Sequence, residues 1–340
     1  MTDNHAGLSI VIPIYNTWDL CVEILDKILG CKVDWIEIIV VNDASGEKPA
    51  LGVFKEKLLN HKKVQIINLK TNVGVARARN IGFIASRGKF VWFIDSDDQV
   101  GKDFRLTLDS FRRSSEKDID LFILNYLVID ESGSEYARDV ILEPGDESVN
   151  YFHEYISASN FSFSQFIPVL WRYIIRRDFL LLNCVFFDNL RLLEDIAYLC
   201  KLMTKRPKAI VLHGESYRHI RRTRSLSSFL VSNDIDSYYS DAVVSSLSIL
   251  HDLNCELAHD SNCFIVSCLE SRLRANIYLI LFSLPFLEIT SLHEQQWKNL
   301  ALSVKQHRAD ILRDSIMIIE DNLLATYNAF NKFITNAVCH

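Results

Sequence analysis

Residues 90–99 read FVWFIDSDDQ, an apolar and aromatic run that ends in three carboxylates, Asp95, Asp97 and Asp98, within four positions. Taken alone, the pattern describes a buried strand reaching the surface, where acidic turn residues are well solvated. Alternatively, Asp95 and Asp97 turn toward one hard divalent cation, which accepts a few protein oxygens and completes its shell from phosphate. The choice depends on what the rest of the chain brings to the same place.

Toward the N-terminus, short apolar runs recur at LSIVIPI (8–14), IEIIVVND (36–43) and VQIINLK (64–70), separated by segments of helical period. Such alternation predicts parallel strands joined by crossover helices. Leu20, Ile24 and Ile28 behind Asn16 and Thr17 predict a capped amphipathic helix, and NVGVARARNIGFIASRG (72–88) predicts another, running from an Asn72 cap to Gly88. Ligands of open parallel sheets gather beyond the carboxyl ends of the strands. That rim receives Pro13, Tyr15 and Asn16 from the first strand, Asn42 and Asp43 from the second, and residues 95–98 from the fourth.

Downstream, a helix is expected over 101–115, a strand over 120–130 and a polar hairpin or loop over 131–145. Helical patterns dominate 151–203, including LWRYIIRRDFLL (170–181) and LRLLEDIAYLCKLM (190–203). A strand at AIVLHG (209–214) precedes YRHIRRTRS (217–225), which gathers Arg218, His219, Arg221, Arg222 and Arg224. Arg172, Arg176 and Arg177 either extend that basic face or lie on a solvated helix edge. Beyond residue 228 the pattern is helical, without a chemical motif.

Each motif has two meanings by itself. Asp43 either caps the next turn with Ser45 or accepts hydrogen bonds from a base or ribose. Gly74, Arg77, Arg79 and Asn80 form either a solvated helix face or a helix N-terminus suited to nucleotide phosphates or base. Glu194 and Asp195 lie opposite the apolar positions Leu192, Ile196 and Leu199, where acids are ordinarily just solvated. No G-x-G-x-x-G follows a strand, which removes the main support for a dinucleotide site.

The 340 residues are 49% hydrophobic, enough for a sizeable core, and the net charge of -6 gives no overall field for nucleic acid. Eight cysteines contain no C-x-x-C pair and several sit in apolar runs, which fits a reduced, cytoplasmic compartment. The start, MTDNHAG, lacks the features of a signal peptide. NIYLILFSLPFL (276–287) is too short to span a bilayer and contains Pro285, so a buried helix is expected there.

In their order and spacing, SIVIPIYN (9–16), EIIVVNDAS (37–45), NVGVARARNIG (72–82), FIDSDD (93–98) and LLEDIAY (192–198) resemble the inverting family 2 glycosyltransferases of the GT-A fold. The resemblance implies a Rossmann-like, mostly parallel α/β sheet flanked by helices over 1–228, followed by a helical C-terminal region, 229–340, that contacts a membrane, a partner or a second copy. It implies that Pro13, Tyr15 and Asp43 belong to the nucleotide pocket and that Arg79 and Asn80 form its wall. Asp95 becomes a carboxylate on the donor side, and Asp97 the main protein ligand of Mn2+ or Mg2+ bridging the donor diphosphate. Asp195 becomes the general base, with Glu194 orienting it or the acceptor. Arg222 and Ser225 match the family's R-x-x-S element beside the diphosphate. His219 stands where an aromatic is usual and is either a third metal ligand, a diphosphate contact or a structural residue.

The implied activity is metal-dependent, inverting transfer from a nucleotide-sugar donor, with UDP as the expected nucleotide, to a hydroxyl of a glycan or lipid-linked acceptor. The implied setting is bacterial capsule, lipopolysaccharide or O-antigen synthesis, in the cytoplasm or on the inner membrane face, with no nucleic-acid partner. Two alternatives stand beside it. One is a nucleotide-sugar-binding or assembly subunit of the same fold without turnover. The other is an aspartyl-phosphate phosphohydrolase, which also places D-x-D after an apolar strand but follows it with a small hydroxyl residue or valine rather than Asp98 and Gln99.

Overall fold

A computed structural model describes residues 7–46, 52–139, 150–151, 169–190 and 192–222. The chain divides into two units, Met1–Ser228 and Phe229–His340, and every described residue belongs to the first. The expected C-terminal helices, the buried helix at 276–287, Arg224 and Ser225 lie outside the described residues.

The first half follows from its apolar runs. Strands β1 (Leu8–Ile14) and β2 (Ile36–Asn42) are buried at every position, as unbroken apolar runs require when helices cover both faces of a parallel sheet. Between them, α1 (Trp18–Gly30) buries Cys21, Ile24, Leu25 and Ile28. Then come α2 (Gly52–Leu59), β3 (Val64–Asn68), α3 (Val75–Ala85) and β4 (Phe90–Phe93). These four strands pair in parallel in the order β3-β2-β1-β4, with Leu8 beside both Ile36 and Phe90. The predicted parallel core is therefore present.

The second half continues through β5 (Gln99–Val100), α4 (Phe104–Ser114), β6 (Leu121–Asp130), β7 (Glu135–Asp139) and β8 (Asn150–Tyr151). A 3-10 turn (Leu170–Arg172) leads into β9 (Tyr173–Arg176), α5 (Arg177–Leu182), α6 (Glu194–Thr204) and β10 (Lys208–Arg221). The sheet extends as β4-β9-β6-β10-β5, with β10 parallel to β6 and β9 antiparallel to both its neighbours. The result is a mixed α/β fold with a largely parallel sheet flanked by helices.

Two expectations are corrected here. LWRYIIRRDFLL is a turn, a strand and a short helix, because Tyr173, Ile174 and Ile175 are buried, with Ile174 and Ile175 paired to both β4 and β6 and Tyr173 to β6. Ladder pairing outweighs helical spacing for so short an apolar run. The arginines of this stretch also scatter. Arg172 is buried, donating from Nε to the Leu124 carbonyl at 3.1 Å, while Arg176 bonds the Ile119 carbonyl and Arg177 the Ser86 hydroxyl. In addition, AIVLHG and YRHIR form one strand, bent where the register shifts between Leu212 and Tyr217 and where Gly214 takes φ +90°.

That bend places the end of β10 against the loop after β4. It is held from α4's approach: Gly101 N–H donates to the Ser216 carbonyl at 2.9 Å, Asp103 N–H to the Glu215 carbonyl at 3.0 Å, and Glu215 N–H to Asp103 Oδ2 at 2.9 Å. Beneath the junction Trp92 Nε1 donates to the Trp171 carbonyl at 2.7 Å, and the Trp171 ring stacks on Tyr217 at 4.5 Å. Among the described residues no helix is long and apolar enough to cross a membrane.

A Cβ on Gly101 would fall 2.0 Å from the Glu215 carbonyl oxygen, far closer than van der Waals contact allows, whereas one on Gly30 would meet nothing within 4 Å. Gly101→Ala is therefore expected to lower stability by about 2–3 kcal/mol in urea denaturation. Gly30→Ala should leave it unchanged or slightly raised.

Candidate active site

Residues 95–98, just beyond β4, have four different surroundings. Asp98 is 4% exposed, and its carboxylate accepts from Tyr217 Oη at 2.8 Å and Ile220 N–H at 2.9 Å, with His219 Nδ1 3.1 Å from Oδ1. Tyr217 Oη in turn accepts the Asp95 N–H at 3.2 Å. Burial pushes the Asp98 carboxyl up, and the contacts from His219 act against it. For His219, burial alone would lower the pKa, but the Asp98 carboxylate more than offsets this and raises it. His219 is thus directed at Asp98, and its ring lies on Trp171 at 5.6 Å.

Ser96 Oγ is 2.7 Å from Thr17 Oγ1. Thr17 therefore makes no side-chain cap for α1 and anchors the loop instead. Asp97 keeps a side chain 41% exposed, and its Oδ2 accepts from Arg222 Nη1 at 2.8 Å. Its pKa is raised by burial first, then by the Asp98 and Asp95 carboxylates, with Arg222 opposing. Asp95 Oδ1 accepts from Arg79 Nη2 at 2.8 Å.

Arg79 and Asn80 are turned inward. Arg79 is 5% exposed, and its Nη1 donates to Glu194 Oε1 at 2.8 Å. Asn80 pairs with both main-chain groups of Phe187, donating from Nδ2 to its carbonyl at 2.8 Å and accepting its N–H at 2.9 Å. The structure thus occupies with protein partners the two side chains expected to wall the nucleotide pocket.

The remaining rim is a set of interlocked turns. Both oxygens of Asp43 are engaged, Oδ1 by Val73 N–H at 2.7 Å and Oδ2 by Gly74 N–H at 2.9 Å. Asp43 therefore ties down the approach to α3, a role that sequence spacing did not suggest. Its carboxylate nonetheless has lone pairs beyond these two bonds. Asn72 donates to the Asp43 carbonyl rather than capping α3, whose N-cap is Gly74 at φ +88°. Asn16 Oδ1 accepts Gly46 N–H at 2.9 Å, Pro13 is buried on β1, and Tyr15 stands 54% exposed beside them.

Glu194 and Asp195 open α6 directly after Leu193, which holds the left-handed conformation at φ 60°. For a non-glycine residue this costs on the order of 1 kcal/mol. Ile196 and Leu199 are buried as the periodicity required, yet the acids are not free in solvent. The Asp195 carboxyl is pushed up to about 7, by burial first and then by the Glu194 charge, with Arg79 opposing. A base of that strength matches neutral pH.

The sequence model described as Glycosyl transferase family 2 matches residues 9–165. That match spans just under half of the chain and makes this region similar to glycosyl transferase family 2. The chain is similar to the glycosyltransferase GlyG of Streptococcus pneumoniae, 28% identical over 223 residues, which are 64% of this chain and 72% of that protein. It is 25% identical to the uncharacterized glycosyltransferase EpsJ of Bacillus subtilis, over 65% of this chain and 62% of EpsJ. In fold, the chain is similar to residues 1–349 of S. aureus TarS in complex with UDP-GlcNAc. That match has a TM-score of 0.64 at 18% identity and covers 97% of this chain and 92% of that one. The family 2 match and the glycosyltransferase relatives favour sugar transfer over the phosphohydrolase alternative.

Among the described residues no group of three or more His, Cys, Asp or Glu side chains is arranged to hold a metal. The donor set nevertheless fits Mg2+ or Mn2+. Asp95 and Asp97 offer hard oxygens, carboxylate charge is locally in excess at Asp97, and such ions take one or two carboxylates plus substrate phosphates. His219 engages Asp98 through Nδ1.

Because the Asp195 carboxyl titrates near 7 in the fold and at 3.8 in a free side chain, its contribution to stability is fully present below the lower value. It is lost as pH rises through the upper one. Asp195→Asn should therefore melt above the wild type at pH 8, with the gap closing toward pH 5 in thermal denaturation. A gap independent of pH would contradict the assignment.

Proposed function

We propose that this glycosyltransferase moves a sugar from a UDP-sugar to a hydroxyl of a bacterial surface glycan or its lipid-linked precursor, inverting the anomeric carbon. The observation that carries the reading is Arg79: one guanidinium touches Asp95 after β4 and Glu194 at the start of α6. Two acidic motifs a hundred residues apart in sequence thus share one guanidinium, which supports reading them as one site. The UDP-GlcNAc held by TarS supports the donor class.

In this proposal Asp195 accepts the proton of the acceptor hydroxyl as that oxygen attacks the anomeric carbon. A single displacement converts an α-linked donor into a β-glycoside. Asp97, with Asp95 beside it, would hold Mn2+ or Mg2+, which supplies Lewis-acid stabilisation for the departing diphosphate. Arg222 brings a cation to the same side. The exposed ring of Tyr15, with Pro13 and Asp43, borders the nucleotide. Transfer is assigned to residues 1–228, and contact with a membrane, a partner or a second copy to residues 229–340.

Nucleotide release from a panel of UDP-sugars, with Mn2+ or Mg2+ and with oligosaccharide or lipid-linked acceptors, tests the proposal. Asp195→Asn should lower transfer on the order of 10²–10⁴-fold and leave donor affinity near that of the wild type. Asp97→Ala should abolish the metal-dependent part of donor binding. A wild type that binds donor yet transfers to no acceptor would be a binding subunit instead.

A further inference from the structure

We propose that Arg79 is the positioning residue for the catalytic base: it fixes the start of α6 relative to Asp95 and makes no contact with the donor. This rests on the transfer reading above and goes beyond it, because it moves Arg79 from the nucleotide pocket to the support of Asp195.

The attachment is multiple. Arg79 and Asn80 are neighbours on α3, and both reach the segment that delivers the base. Asn80 grips Phe187 through its carbonyl and its N–H. The Arg79 guanidinium stands 5.6 Å from the Phe187 ring centroid. That ring stacks on Tyr198, one helical turn beyond Asp195, with centroids 4.0 Å apart and planes within 13°. The Arg79–Glu194 bond closes the frame at the helix's first residue. Leu193, in its left-handed conformation, is the joint that these contacts hold.

Charge points the same way. Arg79 is buried, and its cation already faces Asp95 at 2.8 Å and Glu194 at 2.8 Å, two carboxylates on one guanidinium. Little of that charge is left for a diphosphate, and no surface is left to meet one. The planar fork is also essential to the geometry. It directs separate N–H groups at two acceptors in fixed directions, whereas a lysine ammonium at the end of a flexible stem cannot reproduce both. Arg79→Lys keeps the charge and loses the bridge.

The test compares wild type, Arg79→Lys, Glu194→Gln and the double variant, reading donor Kd by equilibrium binding of a UDP-sugar with Mn2+ and kcat by single-turnover transfer. Arg79→Lys is expected to lower kcat by about 10–100-fold, as a misplacement near 1 Å does, with donor Kd unchanged. Glu194→Gln in the Arg79→Lys background should cost much less than it does alone, because both changes break one bridge. Should Arg79→Lys fail to fold, Glu194→Gln alone carries the same expectation of reduced kcat at unchanged donor Kd. Donor Kd that weakens in step with kcat, or additive effects in the double variant, would overturn the positioning role while leaving the transfer reading intact. A wild type that transfers no sugar would overturn both.

Discussion

A single buried carboxylate organises the loop after β4. Asp98 is nearly inaccessible and would be costly to bury as an isolated charge. It is stable in place because a phenol, a main-chain N–H and an imidazole converge on it from β10. Those three donors occupy the last turns of a strand more than a hundred residues away. Their convergence forces the loop after β4 and the end of β10 into one rigid unit. Everything that loop presents outward inherits its position from this inward anchor.

Three aspartates of identical chemistry therefore have separate duties, set by environment alone. Asp98 is spent on structure, Asp95 is half committed to Arg79, and Asp97 retains the exposure and the excess negative charge that suit a ligand. Across the site, Asp195 is the opposite case. It is a carboxyl whose ionisation the fold resists, kept near neutrality by burial and a neighbouring acid. The protein gives up some stability at neutral pH to keep a carboxyl in that state, a compromise common where polar groups are arranged for chemistry rather than for packing.

The parallel half of the fold was legible because strands covered on both faces appear as continuous apolar runs, and β1 and β2 follow theirs almost to the residue. β9 was not, since four residues cannot establish a period and its flanks are helical. The site was legible as motifs but not as partnerships. Asp43 pairs with main-chain amides thirty residues on, Thr17 with Ser96, and Arg79 with Glu194. Such pairings are properties of the folded sheet rim and leave no trace in spacing. Tyr217, the buried hydroxyl joining Asp95 to Asp98, stood unnoticed at the head of the arginine-rich stretch.

The Asp43 contact has a consequence for how any nucleotide must be received. Many α/β proteins welcome a phosphate at the start of the helix that follows a rim strand, where free amides and the helix dipole attract negative charge. Here the Val73 and Gly74 amides at the approach to α3 are already capped by an aspartate. The fold carries its own anion where dinucleotide-binding folds leave room for a guest's. A diphosphate received at this rim would need its countercharge from groups other than these two amides.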